Sequence, residues 1–495
     1  MANLGGCFVP RRYNLIHEKW IPIEGAGKAS LKEVFSCGFK GRIGGNPIQK
    51  ISLYKLLLAI AQDAILIENE AKLRSLDIEE FGVLCRDYFE KYEDCFWLYG
   101  DKPFLQYPEL EERDIKINPI FCRYIPDLSA DNDTIIRETQ TDPPVDDGEK
   151  ALFVLTLMSY ALGGKRVADP KTFLYDVGTR SKSAKAAPSL GGGVSAGYQQ
   201  SLFLCDSILE TVYCNSFTQE EIVSTKYLVE GILPPWRKRP SLEDSQYNEQ
   251  YKRSVYAWYL AMSRAVLLIG DGIKYCEGLS YVGDWFEPFV SGKENGGFLI
   301  VDPRRRTWRM LPSLLSGVYA QKDDGKGCYA LKVHLNRVRR YCRQFEIWSG
   351  GLKVRGNSGD QSIKGNDDFV ESSVSFYDGD LLGDESFARL CDLAKEVDTL
   401  EVSLKKSVDS YYKFLGLSGN GRGDIACIQY LQILDSIGQS IVDSSVSIDS
   451  ASGMKKIMFH SLLDVYDNHC MRETSRQILA WAKFRLRQFD KGKAR

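Results

Sequence analysis

From Ser375 onward the chain carries four segments in which apolar residues recur at helical spacing. Phe387, Leu390, Ala394, Val397, Leu404, Val408, Tyr411 and Leu415 hold the period in the first, and Ile425, Ile428, Leu431, Leu434, Ile437 and Ile441 in the second. Two more run from about Met454 to Cys470 and from Glu473 to Phe489. The connections GLSGNGRGD and SSVSIDSASG are short and turn-like. Amphipathic helices joined this closely must cover one another's apolar stripes, which predicts a four-helix bundle over 375–495.

Residues 1–374 read differently. YNLIHEKWIPI (13–23) predicts a strand, and Leu53, Leu56, Leu57, Ile60, Ala61 and Ala64 share one helical face. Helices are expected from about Lys150 to Ala161 and from about Leu202 to Phe217, and short strands from Val266 to Met310. A basic helix, HLNRVRRYCRQF, leads into WSGGLKVRGNSGDQSIKGNDD, whose Gly, Asn and Asp content predicts hairpin and loop. With 495 residues the chain exceeds one ordinary core. The fold class expected is α+β, a mixed α/β N-terminal domain (1–374) followed by the C-terminal four-helix bundle (375–495).

The formal net charge is −2, with 44% hydrophobic and 26% charged residues, so any polyanion must be met by local basic patches. The thirteen cysteines include no C-x-x-C, and none stands near a histidine at zinc-ligand spacing. No metal, catalytic group or cofactor is expected. The N-terminus has no secretory pattern, and the most apolar helix is interrupted by Lys55, Gln62 and Asp63. A cytoplasmic protein without membrane contact is the expectation.

Gly191, Gly192 and Gly193 stand in a row in APSLGGGVSAGYQQS. No Gly-Lys pair is followed by Ser or Thr, which excludes a P-loop, and the spacing to Gly197 is one residue too wide for a dinucleotide fingerprint. A bare turn and backbone approach to a ligand both remain. Lys165, Arg166, Lys171, Arg180, Lys182 and Lys185 upstream, against Asp169 and Asp176, favour the second. The four histidines form no catalytic or zinc pattern. DPRRRTWR gathers four arginines around Trp308, and Arg337, Arg339, Arg340 and Arg343 crowd one helix. In the last segment Arg472, Arg476, Lys483 and Arg487 form a stripe opposite Ile478, Ala482, Leu486 and Phe489. Such cations contact phosphate without reading sequence.

Taken in order, YNLIHEKWIPI, LYKLLLAIAQ, DKPFLQ, PSLGGGVSAG, LPPW, WYLAMSRAVLL, DPRRRTWRMLPSLLSG, IWSGGLKVRGNSGDQS and a terminal helical bundle resemble the large subunit of type I-E Cascade, the CasA family. The resemblance spans nearly the whole chain. It implies a non-enzymatic subunit near the 5′ end of a guide CRISPR RNA, among other Cascade subunits. It implies recognition of the protospacer-adjacent motif in double-stranded DNA, nucleation of the R-loop, contact with the displaced strand and recruitment of a separate helicase-nuclease. The family's minor-groove glycine loop matches Gly191, Gly192 and Gly193. Its strand-separating wedge follows a Gly-Gly pair; here Gly350-Gly351 precedes Asp360, Gln361 and Ser362, making Gln361 the candidate. Its lysine finger follows a Trp/Pro-containing region, and Trp285 and Pro288 precede Lys293.

Two departures stand against the family pattern. The paired cysteines that some members carry are missing. The stretch 127–149 has eight acidic residues and one arginine, Arg137, and reads as a long exposed loop that would repel phosphate. Two other classes stay open: a nucleotide-binding enzyme using the glycine loop, and a protein-only scaffold.

Overall fold

A computed structural model describes residues 10–119, 145–160, 197–227, 230–241, 244–279, 281, 286–292, 298–319, 327–353, 355–357, 360–362, 369–377, 383–418 and 421–487. The N-terminal body is organised around the helix Pro47–Ala64. Asn46 caps it by accepting from the Ile48 and Gln49 amides, Gln49 returns the bond, and Pro47 pre-sets the first turn. The expected apolar face is buried except at half-buried Ala64, yet Tyr54, Leu58 and Ala59 are buried too. This helix is enclosed on nearly all sides, by the helices Ile78–Tyr92, Asp147–Ser159, Ile208–Asn215 and Val255–Tyr259 and by the main sheet.

That sheet has three antiparallel strands, with Gln344–Leu352 between Gln200–Leu204 and Phe369–Tyr377. A second antiparallel sheet holds Asn118–Pro119, Gly272–Glu277 and Arg264–Ile269. Segment 13–23 is not one strand. Arg12–Asn14 pairs with Trp97–Tyr99, and Ile21–Ile23 with Gly27–Ala29. Between them the Asn14 side chain accepts from the Ile16 amide and turns the chain. The expected helix from Leu202 begins as the strand Gln200–Leu204, buried at every position, and turns helical only at Ile208. Ser207 and Glu210 form a capping box there, a start signal inside the segment, and a short buried apolar run has no period to reveal a strand. The strands expected up to Met310 stop earlier, because Thr307–Leu314 is a helix.

The C-terminal part is helical: Asp384–Phe414, Arg422–Ser436, Ile448–His469 and Ser475–Phe484, with a short helix Gly438–Asp443 after the second. The first packs against Arg422–Ser436, Ile448–His469 and Ser475–Phe484, so the architecture is α+β with the expected bundle. Strand Phe369–Tyr377 runs through position 375, and the first bundle helix starts at Asp384. In the second helix Ile425 and Ile428 are exposed, while Ala426, Cys427, Tyr430, Leu431 and Leu434 are buried. The short helix Ser475–Phe484 buries Ala480 and leaves Ile478 exposed. Among the described residues no helix is long and apolar enough to cross a membrane.

Candidate nucleic-acid interface

Three segments far apart in sequence meet at one edge of the main sheet. Gly197, the first described residue after the glycine loop, accepts a hydrogen bond from the Val301 amide at 3.0 Å. Tyr198 bridges to Ile300, and the Gln199 amide donates to Leu299 at 3.0 Å. Leu299 in turn donates to Ser291 at 2.9 Å, and Gly292 bridges to Phe298. The residues flanking position 293 on both sides are therefore tied to the chain leaving the glycine loop. The rings of Tyr198 and Phe298 meet edge to face at 5.4 Å.

The glycine pair of the central strand supplies the third segment. A β-carbon on Gly351 would lie 2.6 Å from Val301 Cγ2 and 2.9 Å from the Tyr198 carbonyl oxygen. One on Gly350 would lie 2.4 Å from the Trp348 ring. Two glycines at buried positions of this strand thus mark close approach, the usual meaning of such residues in strands. The Trp348 indole is fixed by its N–H bond to Glu371 at 2.9 Å, and Glu371 by Lys50 at 3.0 Å. Beyond Leu352, Arg355–Asn357 pairs with Asp360–Ser362, with Gly356 opposite Gln361. The backbone of Asp360, Gln361 and Ser362 therefore forms one arm of a small antiparallel ladder extending from this edge. Gly191, Gly192, Gly193 and Lys293 lie outside the described residues.

Several residues of the basic motifs pair within the chain. Arg304 pairs with Asp302 at 3.4 Å, Arg309 with Asp398 at 2.9 Å and Glu401 at 3.1 Å, and Arg306 donates to the Glu371 carbonyl at 3.1 Å. Arg337 is buried and pairs with Glu70 at 2.7 Å and Glu221 at 3.1 Å. In the LPPW turn Arg237 meets Asp63 at 2.9 Å, and Arg239 meets Glu109 at 2.8 Å. The predicted terminal stripe is shorter than expected, because the helix starts at Ser475 and ends at Phe484. Only Arg476 and Lys483 of the four lie on it. All four are exposed and contact neutral groups. Arg476 donates to the Phe414 carbonyl at 3.1 Å and Arg487 to the Ala482 carbonyl at 3.1 Å. Arg472 stands 5.0 Å from the Trp481 ring and Lys483 5.0 Å from the Phe414 ring.

The histidines are dispersed. His334 is wholly buried and packs on Phe217 at 4.5 Å; burial, then the neighbouring Arg337 charge, holds its pKa well below the usual range. His460 and His469 bond to Lys456 and Gln429 respectively, both at 2.7 Å. The acidic stretch does not stay a loop to its end. Asp146 caps the helix Asp147–Ser159 and pairs with Lys28 at 2.6 Å, while Asp147 pairs with Arg12 at 2.9 Å; residues 127–144 lie outside the described residues.

The model of the CRISPR-associated protein Cse1 family matches residues 14–451. The chain belongs to the Cse1 family. This is the family of the large Cascade subunit that the ordered motifs resemble. Cse1 from Thermobifida fusca superimposes with a TM-score of 0.73 at 18% identity, covering 96% of this chain and 97% of that one. CasA (Cse1) from Thermus thermophilus gives 0.70 at 18% identity over 96% and 97%. A chain from a CRISPR RNA-guided surveillance complex gives 0.70 at 15% identity over 96% and 99%. At these identities the solved structures share the fold. No curated protein matches.

Two features of this Cse1 family member escaped sequence reasoning. The contact of Gly351 with Tyr198 had a visible signal, a Gly-Gly pair flanked by Ile347, Trp348 and Leu352. The gathering of Cys205, Cys214 and Cys342 had none, since nine and 128 residues separate neighbouring members.

Proposed function

We propose that this Cse1 family member serves as the large subunit of an RNA-guided surveillance complex. In that role it recognises a short motif in double-stranded DNA and starts strand separation. The glycine loop at 191–193 and Lys293 enter the minor groove. That groove shows a degenerate donor and acceptor pattern, so backbone and a single cation read it loosely. Gln361, carried by its ladder, takes the place of the first opened base pair, whose unstacking costs a few kcal/mol. Arg472, Arg476, Lys483 and Arg487 contact DNA backbone, and the chain helps recruit a separate helicase-nuclease. Guide pairing supplies the remaining specificity.

One observation carries this reading. Hydrogen bonds and close packing join the described residues next to the glycine loop, next to position 293 and before the Gln361 ladder at one sheet edge. The test is reconstitution of the complex with and without this chain, followed by binding to duplexes that differ only in the adjacent motif. The expected result is motif-dependent binding only when the chain is present. Equal binding without it contradicts the reading and favours a protein-only scaffold.

A further inference from the structure

Three cysteines converge where strand Gln200–Leu204, helix Ile208–Asn215 and helix Tyr329–Tyr341 meet. Cys205 follows the strand, Cys214 lies in the first helix, and Cys342 caps the second. The sulfurs of Cys205 and Cys342 are 3.2 Å apart, those of Cys214 and Cys342 3.8 Å, and all three lie within 4.8 Å of one another. Each backbone is held. The Cys205 amide donates to Thr211 Oγ1 at 2.9 Å, the Cys342 amide to the Val338 carbonyl at 2.9 Å, and the Cys214 carbonyl accepts from Arg337 at 3.3 Å.

Packing alone does not call for this arrangement. A buried cysteine behaves as a small hydrophobe and needs no second sulfur beside it, still less a third. Metal geometry fits better. A zinc–sulfur bond of about 2.3 Å sets sulfurs about 3.8 Å apart in a tetrahedral site and about 4.0 Å in a trigonal one. The separations of 3.2 and 3.8 Å, with the third pair within 4.8 Å, lie within about 1 Å of those values, so closing on an ion needs only small side-chain adjustments. Hard cations that demand oxygen ligands are excluded by an all-sulfur set. Among the described residues no histidine or carboxylate completes the group. Cys205 and Cys214 are buried, whereas Cys342 is half-buried, so it is the member nearest to solvent.

We propose that Cys205, Cys214 and Cys342 form a three-thiolate site for a thiophilic d10 cation, zinc with a solvent-derived fourth ligand or copper(I) with none. Each thiol releases its proton as the ion binds, so binding weakens as pH falls. The ion ties the strand that continues from the glycine loop to the helix Tyr329–Tyr341. The site differs from a C-x-x-C pair in that its ligands come from three separate elements.

The full chain, reduced with a phosphine and stripped with a chelator, is titrated with zinc, with copper(I) and with cobalt(II) as a spectroscopic probe. The expected result is about one equivalent of zinc or copper(I) bound, and a sulfur-to-cobalt charge-transfer band. Cys342→Ser weakens binding by more than about tenfold while the circular dichroism spectrum is unchanged. Cys391→Ser, far from the cluster in sequence, leaves binding intact. If Cys342→Ser does not fold, the wild-type chain still decides the matter: stoichiometric metal slows alkylation of Cys342, read by peptide mass spectrometry. Binding equal to that of the triple Ser variant, or unchanged Cys342 alkylation, overturns the proposal. So does a Cys205–Cys342 disulfide that forms in the presence of either metal.

Discussion

Gly351 and Tyr198 touch through backbone: a β-carbon on Gly351 would stand 2.9 Å from the Tyr198 carbonyl oxygen. Real β-carbons do not approach backbone that closely, so Gly351→Ala must push the central strand away from the chain that leaves the glycine loop. Forced shifts in a packed interior cost about 1–3 kcal/mol. Thermal unfolding of the isolated variant should fall by the corresponding few degrees. Motif-dependent duplex binding by the assembled complex should fall further than this stability loss explains, with guide RNA retained.

Trp308 joins the N-terminal body to the bundle. Its indole N–H donates to Asp435 at 2.9 Å, and a β-carbon on Gly438 would lie 2.5 Å from the ring. Burial raises the Asp435 pKa despite the Trp308 bond and the Arg306 and Arg309 charges. Trp308→Phe removes the donor and leaves a half-buried carboxylate short of a partner, at a cost of about 1–3 kcal/mol. Urea unfolding measures it. Gly438→Ala should destabilise through the other side of the same contact.

Lys55 and Glu287 form a buried ion pair at 2.9 Å, with side chains 5% and 2% exposed. Desolvation lowers the Lys55 pKa and raises that of Glu287, and each opposes the other's shift. Lys55→Met strands a carboxylate in the core and should cost about 3–5 kcal/mol. The double variant Lys55→Met/Glu287→Gln keeps an acceptor for the Phe289 amide and should recover most of that loss. Denaturant titration of the pair and of Lys55→Met alone tests the claim.

Asp467 fastens the terminal helix. It accepts from Trp481 at 2.7 Å and from Arg485 Nε and Nη2, both at 2.8 Å. Burial alone would raise its pKa; the bonds from Arg485 and Trp481 outweigh that and lower it. A carboxyl with a lowered folded pKa stabilises fully above its unfolded pKa of about 3.9 and loses that contribution as pH falls through the folded value. Hydrogen-exchange protection in Ser475–Phe484 should therefore fall on acidification below about pH 3.9 more than in the bundle core. Asp467→Asn should remove this extra acid dependence.

The legible parts of the fold were those with a long period. Phe387, Leu390, Val397, Leu404, Val408 and Tyr411 are all buried, as their spacing implies. Where helices are shorter, the stripe slips. Ile425 and Ile428 are exposed because Ala426 and Tyr430 face the partner helices instead. Strand Gln200–Leu204 carried no alternation, since it is buried on both faces. The hairpin after Gly351 was announced by its Gly, Asn and Asp content. Arginines 304, 306 and 309 looked like a phosphate patch because their partners, Asp302, Glu371, Asp398, Glu401 and Asp435, are mostly distant in sequence. The cysteine cluster was invisible for the same reason.

The most direct test of the account compares two target duplexes in the assembled complex, one intact and one with the first base pair beside the motif already mismatched. If Gln361 occupies the opened position, Gln361→Ala weakens binding to the intact duplex and the mismatch restores it, with guide RNA and subunit content unchanged. Undiminished binding of the intact duplex, or an equal loss on both duplexes, contradicts the assignment of strand opening to this edge.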